Sequence, residues 1–300
     1  MASQLIPENQ LAPENFVVAA IGEQPRRVKI IRAPSFSPAG LLDNFKTLAR
    51  YRDLLYTLSV HRVKVRYKQS LLGLSWAILQ PLSLMLIYTL IFSVIAKVPS
   101  GSLPYAVFSY TGLLLWTFFS TALTNATSGL VSHSHLVTKV YFPREILPLT
   151  YVTAALFDLL IASSVLGGLM IYYQVPLTMN ALYAIPIVLV LALFVASLSL
   201  MFSATQVRFR DIGVAMPLLL QIWMFATPVV YSLSAVPEHF RTLYMLNPMV
   251  GVIENFRQVI LEGKPPNFYA LGISALISLL LLPASYIYFK RVEATVADII

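Results

Sequence analysis

The side chains best suited to binding chemistry in this chain form a basic segment directly ahead of an apolar one. In "HRVKVRYKQSLLGLSW", which begins at His61, the cations Arg62, Lys64, Arg66 and Lys68 stand at alternate positions. Cations at this density bind phosphates or other anions. By itself the segment is compatible with a nucleic-acid patch, a targeting peptide, a membrane anchor or a docking element.

Composition favours the membrane among these alternatives. Of the 300 residues, 58% are hydrophobic and 11% are charged, and the mean hydropathy is +0.75. Soluble domains carry about 25% charged residues, so lipid is expected to be the main solvent of this chain. The sequence has no cysteine, which excludes disulfides and thiolate metal sites. Residues 1–20 lack the basic start of a cleavable signal peptide.

Hydropathy predicts six membrane-spanning helices behind the basic segment, each with roughly the 20 apolar residues that cross a bilayer core. Their predicted ranges are 74–97, 106–130, 147–173, 181–205, 213–235 and 268–289. The fifth is the least regular, because "ATPVVYS" interrupts its outer half. The chain is therefore predicted to be an all-α integral membrane protein with a transmembrane domain over residues 74–300.

Two different segments precede the first span. Residues 1–40 are rich in proline and cannot build a core, so they are predicted to form a flexible tail. Residues 41–73 carry apolar residues at helical spacing with charges between them, which predicts an amphipathic interface helix along the cytoplasmic membrane surface. Gly73 would supply close approach or flexibility at the bend into the first span.

The distribution of lysine and arginine predicts the orientation. Of the 21 basic residues, 17 precede the first span, lie in every second connection or follow the last span; the other four are Lys97, Arg241, Arg257 and Lys264. Cytoplasmic loops carry the excess of lysine and arginine, so both termini are predicted to be cytoplasmic. Because topology accounts for the charge, neither nucleic-acid binding nor a cleavable targeting signal is needed to explain it.

The connection between spans five and six, residues 236–266, is too polar to span, yet its apolar residues repeat at helical spacing. Asn247-Pro248 marks a turn between its two halves. The pattern predicts a re-entrant pair of short external helices that lines or covers a pathway, since irregular backbone at membrane depth needs protein or a water cavity around it. A hairpin lying on the membrane surface is the alternative.

The motifs do not indicate catalysis, cofactor binding or metal binding. The chain lacks a Walker-type phosphate loop and an H-E-x-x-H motif, and the spacing of His133 and His135 suits a solvated pair better than a metal site. Two cytoplasmic connections, "LVTKVYFPREILPL" from Leu136 and "VRFRDIG" from Val207, are short and charged. They suit docking onto a soluble partner or, equally, anchoring by the positive-inside rule.

Four stretches together carry a family resemblance that none of them carries alone. They are "RYKQSLLGLSWAILQPL" (66–82), "KVYFPREILPL" (139–149), "VRFRDI" (207–212) and "LNPMVGVIENFRQVIL" (246–261). In order and spacing they resemble the ABC-2 type permeases, in the branch that exports polysaccharides and polyol phosphates. The resemblance covers about residues 41–300.

This resemblance implies a transporter of the bacterial inner membrane. Such permeases are homodimers with six transmembrane helices per subunit. They work with two copies of a separate ATPase subunit that holds ATP and Mg²⁺, so no cofactor is expected on this chain. They export lipid-linked glycans such as O-antigen, capsule or teichoic acid precursors. The chain is accordingly expected to be a non-enzymatic permease subunit for a glycan of this kind.

The resemblance also assigns residues to roles. The element that couples to the ATPase would comprise Lys139, Tyr141, Phe142, Pro143, Arg144 and Glu145, together with Arg208, Arg210 and Asp211. The external gate would comprise Asn247, Pro248, Glu254 and Arg257. The lipid-linked substrate would enter at Arg66, Lys68 and Trp76. There the two cations would meet its pyrophosphate or, alternatively, ordinary anionic lipid.

Within the spans, one acid and several aromatic residues are candidates for lining a channel. Asp158 is at mid-membrane, where an ionisable group usually faces the bundle interior or a cavity. The adjacent spans offer it no lysine or arginine, so its expected partners are hydroxyls or water. A structural role is as open as a functional one. Trp116 and Phe119 could stack on sugars, with an interfacial aromatic belt as the alternative.

Three alternatives stay open on sequence alone. The same architecture could export drugs, haem or other lipids in place of a glycan. An integral membrane glycosyltransferase or acyltransferase belongs to a different class, and it would need a cluster of acids or histidines. A scaffold subunit without a pathway is the third.

Overall fold

The computed structural model of the chain describes residues 48–68, 70–95, 103–140 and 142–299, with side chains as far as Glu293. These residues form helices and connections without a strand, which confirms the all-α prediction for the described part of the chain. The predicted tail over 1–40, the first residues of the interface helix, Lys97 and Tyr141 lie outside the described residues.

The helices are numbered here along the chain. α1 is Arg52–Lys68, α2 is Ser75–Tyr88 with a π-helical continuation over Thr89–Ile95, α3 is Tyr105–Ser132, α4 is Ser134–Lys139 and α5 is Ile146–Tyr172. A 3-10 turn over Met179–Tyr183 leads into α6, Ala184–Arg208. Then follow α7, Asp211–Phe225; α8, Glu238–Met245; α9, Pro248–Ile260; and α10, Phe268–Ile299.

Five helical stretches among the described residues are long and apolar enough to cross a membrane: Ser75–Ile95, Tyr105–Ser132, Ile146–Tyr172, Met179–Arg208 and Phe268–Glu293. They match five of the six predicted spans. The predicted fifth span, 213–235, is not a continuous helix, because α7 ends at Phe225 after 15 residues. Such a helix rises only about 22 Å, less than the roughly 30 Å hydrocarbon core. The interruption falls in "ATPVVYS", as the sequence predicts.

α3 is the central helix, with 83% of its most apolar window buried inside the chain, against 11–44% for the other four spans. Phe119 on α3 stacks on Phe194 of α6 at a centroid distance of 6.0 Å and meets Trp223 of α7 edge-on at 5.1 Å. At Gly129 the ring of Tyr151 lies where a Cβ would stand. Small residues of this kind let helices approach closely in a membrane, so α3 can be enclosed by its neighbours.

α1 packs along α5 and turns into α2 at a glycine corner. The Arg62 guanidinium lies over the Tyr151 ring at 3.6 Å, and the Ser59 and Thr153 hydroxyls are 2.6 Å apart. Gly73 adopts φ +51° at the corner and has open space around it. Glycine is therefore needed there for a left-handed backbone, which other residues adopt at a penalty, and not for close packing.

The interrupted segment after α7 is held by side chains from other helices. Arg257 of α9 is 3% exposed, and its guanidinium donates to the carbonyl of Pro228 at 2.7 Å and to that of Val229. The same guanidinium lies 3.8 Å from the centre of the Phe108 ring. The Tyr105 hydroxyl donates to the Val230 carbonyl at 2.5 Å. These donors supply the partners that irregular backbone requires at membrane depth.

The two predicted external helices are present but are packed differently. The Asn247 side chain accepts a hydrogen bond from the backbone N–H of Met249 at 3.1 Å, which caps α9 and confirms the predicted turn. Nearly all of α9 is buried against α3, α6 and α10, whereas α8 has no buried residue. The pair is therefore one helix inside the bundle and one on its surface.

Replacing Arg257 by Met is expected to destabilise the protein by about 3–5 kcal/mol, because it leaves buried carbonyl groups without donors. Arg241→Met is the matched control. Arg241 also donates to carbonyls, at 2.9 Å to Val236 and 3.0 Å to Ser234, but its side chain is 36% exposed. Unfolding by SDS in mixed micelles measures both. Equal losses for the two variants would contradict the assignment of Arg257 as a buried support.

Candidate functional site

A cavity of about 520 Å³ opens between α1, α2, α3 and α5. Arg66 and Tyr67 border it from α1, Trp76 from α2 and Asp158 from α5. The cavity therefore joins the basic segment ahead of the first span to the one acid predicted at mid-membrane. Of the residues predicted to meet the substrate as it enters, Arg66 and Trp76 lie in its wall, while Lys68 is exposed elsewhere.

Asp158 is paired with a cation from outside the spans, whereas its expected partners were hydroxyls or water. The Arg66 guanidinium forms an ion pair with one carboxylate oxygen, and the Tyr67 hydroxyl donates to the other at 2.7 Å. The tyrosine partner fits the expected hydroxyl. The arginine was missed because it comes from α1, which is not a span but lies directly along α5.

The Tyr67 hydroxyl is a hydrogen-bond donor to Asp158 in this arrangement. Burial, and then its hydrogen bond to Asp158, raise the pKa of Tyr67 to about 12. The hydroxyl therefore keeps its proton near neutral pH and donates it to the carboxylate. Asp158 thus holds two neighbouring residues of α1 against α5.

The two aromatic residues predicted to line a channel lie in the core of the chain. Trp116 is 5% exposed and Phe119 is 0% exposed, and their rings pack against each other at a centroid distance of 5.2 Å. Neither of them lines the cavity, whereas Phe118, between them in sequence, does. Hydropathy does not reveal which face of a helix turns toward a cavity, so residue type alone could not place these rings.

The connection between α4 and α5 is anchored by a buried charge cluster. Glu145 is 1% exposed; its carboxylate accepts from Lys290 Nζ at 2.8 Å and from the Tyr286 hydroxyl at 3.1 Å. Lys290 also donates to Glu293 at 2.7 Å. Arg144 donates to the Glu293 side chain from its backbone N–H at 3.3 Å and to the Glu293 carbonyl from its guanidinium at 2.6 Å. We call these five residues the α10 clamp.

The remaining residues predicted to couple to the ATPase fall into a buried group and an exposed group. Phe142 is buried, and Pro143 is partly buried. Lys139 at the end of α4, and Arg208, Arg210 and Asp211 between α6 and α7, are exposed. The exposed set can contact another protein, whereas Arg144 and Glu145 are already bound within the chain.

Sequence reasoning missed the partners supplied by α10. Tyr286, Lys290 and Glu293 lie three or four residues apart, so they share one face of a helix. Three polar residues at this spacing, at the end of the last predicted span, are a detectable signal. Their pairing with Glu145, more than 140 residues away, could not be read from that spacing.

At the other end of the bundle, Asn247 joins the cap of α9 to α7. Its Oδ1 accepts from Trp223 Nε1 at 3.3 Å, and its Nδ2 donates to the Thr227 hydroxyl at 2.8 Å. Pro248 is buried beside it, and Glu254 lies 3.3 Å from the Arg257 guanidinium. The four residues predicted for the external gate therefore belong to one packed region around the interruption after α7.

Bundled membrane helices with short charged connections define a multi-pass membrane protein, and comparison with known proteins specifies its family. Residues 53–261 match the family described as "ABC-2 type transporter", and the chain belongs to that family. The expected membership is thereby confirmed.

Individual relatives point to the polysaccharide branch. Over 252 residues, 83% of this chain and 96% of the relative, the chain is 34% identical to the O-antigen export system permease protein RfbA of Myxococcus xanthus. It is 27% identical over 249 residues to a protein of the same name from Klebsiella pneumoniae, covering 95% of that protein. It is 23% identical over 233 residues to the polysialic acid transport protein KpsM of Escherichia coli, covering 75% of this chain and 88% of KpsM.

A double-mutant cycle on Arg66→Met and Asp158→Asn is expected to give a favourable coupling free energy of about 1 kcal/mol, since the pair is partly solvated. Thermal or SDS unfolding of the purified protein provides the four stabilities. Tyr67→Phe is the neighbouring control, because it removes the hydrogen bond and leaves the ion pair in place. Additive single effects of Arg66→Met and Asp158→Asn would show that the ion pair contributes nothing to stability.

Proposed function

We propose that this chain is the permease subunit of an ATP-driven ABC-2 exporter that moves a lipid-linked polysaccharide across the bacterial inner membrane. The observation that carries the proposal is the 34% identity to an O-antigen export permease over 96% of that protein's length. The polysialic acid transport protein among the relatives supports the same class of cargo. The exporter comprises two copies of this chain and two copies of an ATPase subunit, which binds ATP and Mg²⁺.

Six crossings with both termini cytoplasmic are supported by contacts at the two ends of α3. Leu130, near the end of α3, shares a buried cluster with Val207 near the end of α6, so α7 begins at that end. Tyr105, the first residue of α3, meets Val230, so the chain has reached the opposite end by that point. α7 and the segment after it therefore make the missing crossing. The excess of lysine and arginine assigns the Leu130 end to the cytoplasm.

The ATPase docks on the cytoplasmic connections in this proposal. Lys139, Arg208, Arg210 and Asp211 are exposed and supply polar contacts to it. The α10 clamp has a different role, since its charges are satisfied inside the chain. It fixes the α4–α5 connection to α10, so that a displacement imposed by the ATPase moves the connection and the last span as one rigid body.

The substrate enters at the cavity beside α1. Arg66 meets the phosphate of the lipid carrier there, Trp76 offers an aromatic face to the first sugar, and Lys68 adds positive charge at the membrane surface. Asp158 holds Arg66 in place between substrates. On the external side, the region around Asn247, Pro248, Glu254 and Arg257 forms the exit gate.

Reconstituted vesicles test the proposal. The chain with its ATPase subunit is expected to move a lipid-linked glycan across the membrane only when ATP is hydrolysed. Transport of a drug-like compound or another lipid without any glycan transport would show that the exporter carries a different cargo. Transfer of a sugar or acyl group onto the glycan, without transport, would show that the protein is a membrane transferase and not a transporter.

Glu145→Gln is expected to uncouple the exporter, because it removes the charge that Lys290 pairs with inside the clamp. The ATPase should still copurify and hydrolyse ATP, while glycan export falls about tenfold for a disturbance of roughly 1.4 kcal/mol. Lys139→Gln is the matched control in the same connection. It should weaken copurification of the ATPase instead.

The double variant Glu145→Gln with Lys290→Gln checks folding, since neutralising both members of a buried pair is often tolerated. A folded double variant that exports normally would show that the charges of the clamp do not transmit the motion.

A further inference from the structure

The wall that α3 gives to the cavity is mostly polar, since Leu114 and Phe118 are its only apolar members among the described residues, and this distinguishes it from the rest of the helix. From Tyr105 to Leu130 nearly every residue of α3 is buried, and every residue that keeps partial exposure is a serine, a threonine or an asparagine. These residues are Thr117, Ser120, Thr121, Thr124, Asn125 and Ser128, and we call them the polar face of α3.

The polar face is continuous along the helix. Its members follow one another at intervals of three or four residues or as neighbours, which places them on one side of an α-helix. The stretch from Thr117 to Ser128 rises about 17 Å, roughly half of the hydrocarbon core. A helix face directed at lipid should be apolar, because hydrocarbon cannot satisfy polar groups. The polar face is therefore directed at something other than lipid.

Most hydrogen-bonding capacity on this face is unused within the part of the chain that the structure describes. Ser120 donates to the carbonyl of Thr117 at 3.3 Å. Thr121, Thr124 and Asn125 have no side-chain hydrogen bond to any other described residue. Elsewhere in the bundle, hydroxyls such as those of Thr127, Thr150 and Ser197 return to their own helix at 2.6–2.7 Å. Thr121, Thr124 and Asn125 therefore stand together in the cavity wall with free donors and acceptors.

The other walls of the cavity match this chemistry. Trp76 presents aromatic surface from α2, Gln80 adds an amide, and the Arg66–Asp158 ion pair stands in the same lining. Hydroxyls and amides that both donate and accept, beside aromatic rings, suit the alternating O–H and C–H surfaces of a sugar. A volume of about 520 Å³ lies within the range for small-ligand sites.

We propose that the cavity is a carbohydrate-binding site in which the polar face of α3 holds the hydroxyl groups of the glycan. This inference rests on the proposed function. It names the surface of this chain that the glycan contacts along its pathway. The glycan exchanges hydrogen bonds with Thr121, Thr124 and Asn125 as it advances. Their short, similar side chains along the helix offer equivalent partners at each step. A second copy of the chain packed on this face is the competing occupant, since serine and threonine also line helix interfaces in membranes.

The test compares hydroxyl-to-methyl exchanges on and off the polar face. Thr121→Val with Thr124→Val keeps side-chain size and removes two hydroxyls. Ser163→Ala with Ser164→Ala is the control, because both of these hydroxyls bond to their own helix on α5, at 2.7 Å to Leu159 and 2.6 Å to Ile161. Glycan export into vesicles, ATPase copurification and the mass of the detergent-solubilised complex are measured for each protein.

The polar-face variant is expected to export the glycan about tenfold more slowly than wild type, since two hydrogen bonds to the substrate are lost. Its complex should keep the wild-type mass, and the ATPase should still copurify with it. The control variant should export normally. Quenching of Trp76 by the lipid-linked glycan, measured in a protein with Trp116 and Trp223 replaced by Phe, should weaken in the polar-face variant only.

Two results would overturn the inference while the proposed function stands: normal export by the polar-face variant, or a smaller complex, which would assign the face to a second copy of the chain. A wild-type protein that moves no glycan would overturn the proposed function itself and the inference with it.

Discussion

Hydrocarbon forms no hydrogen bonds, so every polar group at membrane depth must find its partner in the protein or in an enclosed cavity. The irregular backbone after α7 is satisfied by Arg257 and Tyr105. Asp158 is satisfied by two residues of α1, and Glu145 by two residues of α10. Each of these partnerships joins elements that are distant in sequence, so the same constraint also sets the arrangement of the bundle.

The central position of α3 follows from that constraint, and it bears on the transport function. Its apolar sides are enclosed by α5, α6 and α7, while its polar face meets a cavity. A helix built in this way suits a permease, because a polar cargo needs a route that lipid does not line. The α10 clamp adds a further connection between distant helices, since Lys290 and Glu145 join α10 to the start of α5.

Much of the fold could be predicted from sequence, because lipid imposes a strong local signal. Hydropathy located five long helices within a few residues, and Asn247-Pro248 located the turn before α9. The fifth span was predicted as one segment, but it is a shorter helix followed by an interrupted segment. The sequence "ATPVVYS" indicated this interruption. The family resemblance was confirmed over residues 53–261.

The site was harder to predict, because its geometry depends on pairing and on helix phase. Arg66 and Asp158 are 92 residues apart, and no local pattern joins them. Trp116 and Phe119 were selected for residue type, yet both turn into the core, while the Thr and Ser residues between and after them face the cavity. The spacing of those hydroxyl residues was present in the sequence and would have identified the polar face.

The central claim is that the glycan passes along the polar face of α3. The most direct measurement is photo-crosslinking during transport, with a photoreactive residue placed at position 121 and, as the control, at position 160, where Leu160 is exposed on α5. We predict an ATP-dependent crosslink to the glycan at position 121 and crosslinks to lipid alone at position 160. Crosslinks at position 121 only to lipid or to a second copy of the chain, while glycan transport proceeds, would contradict it.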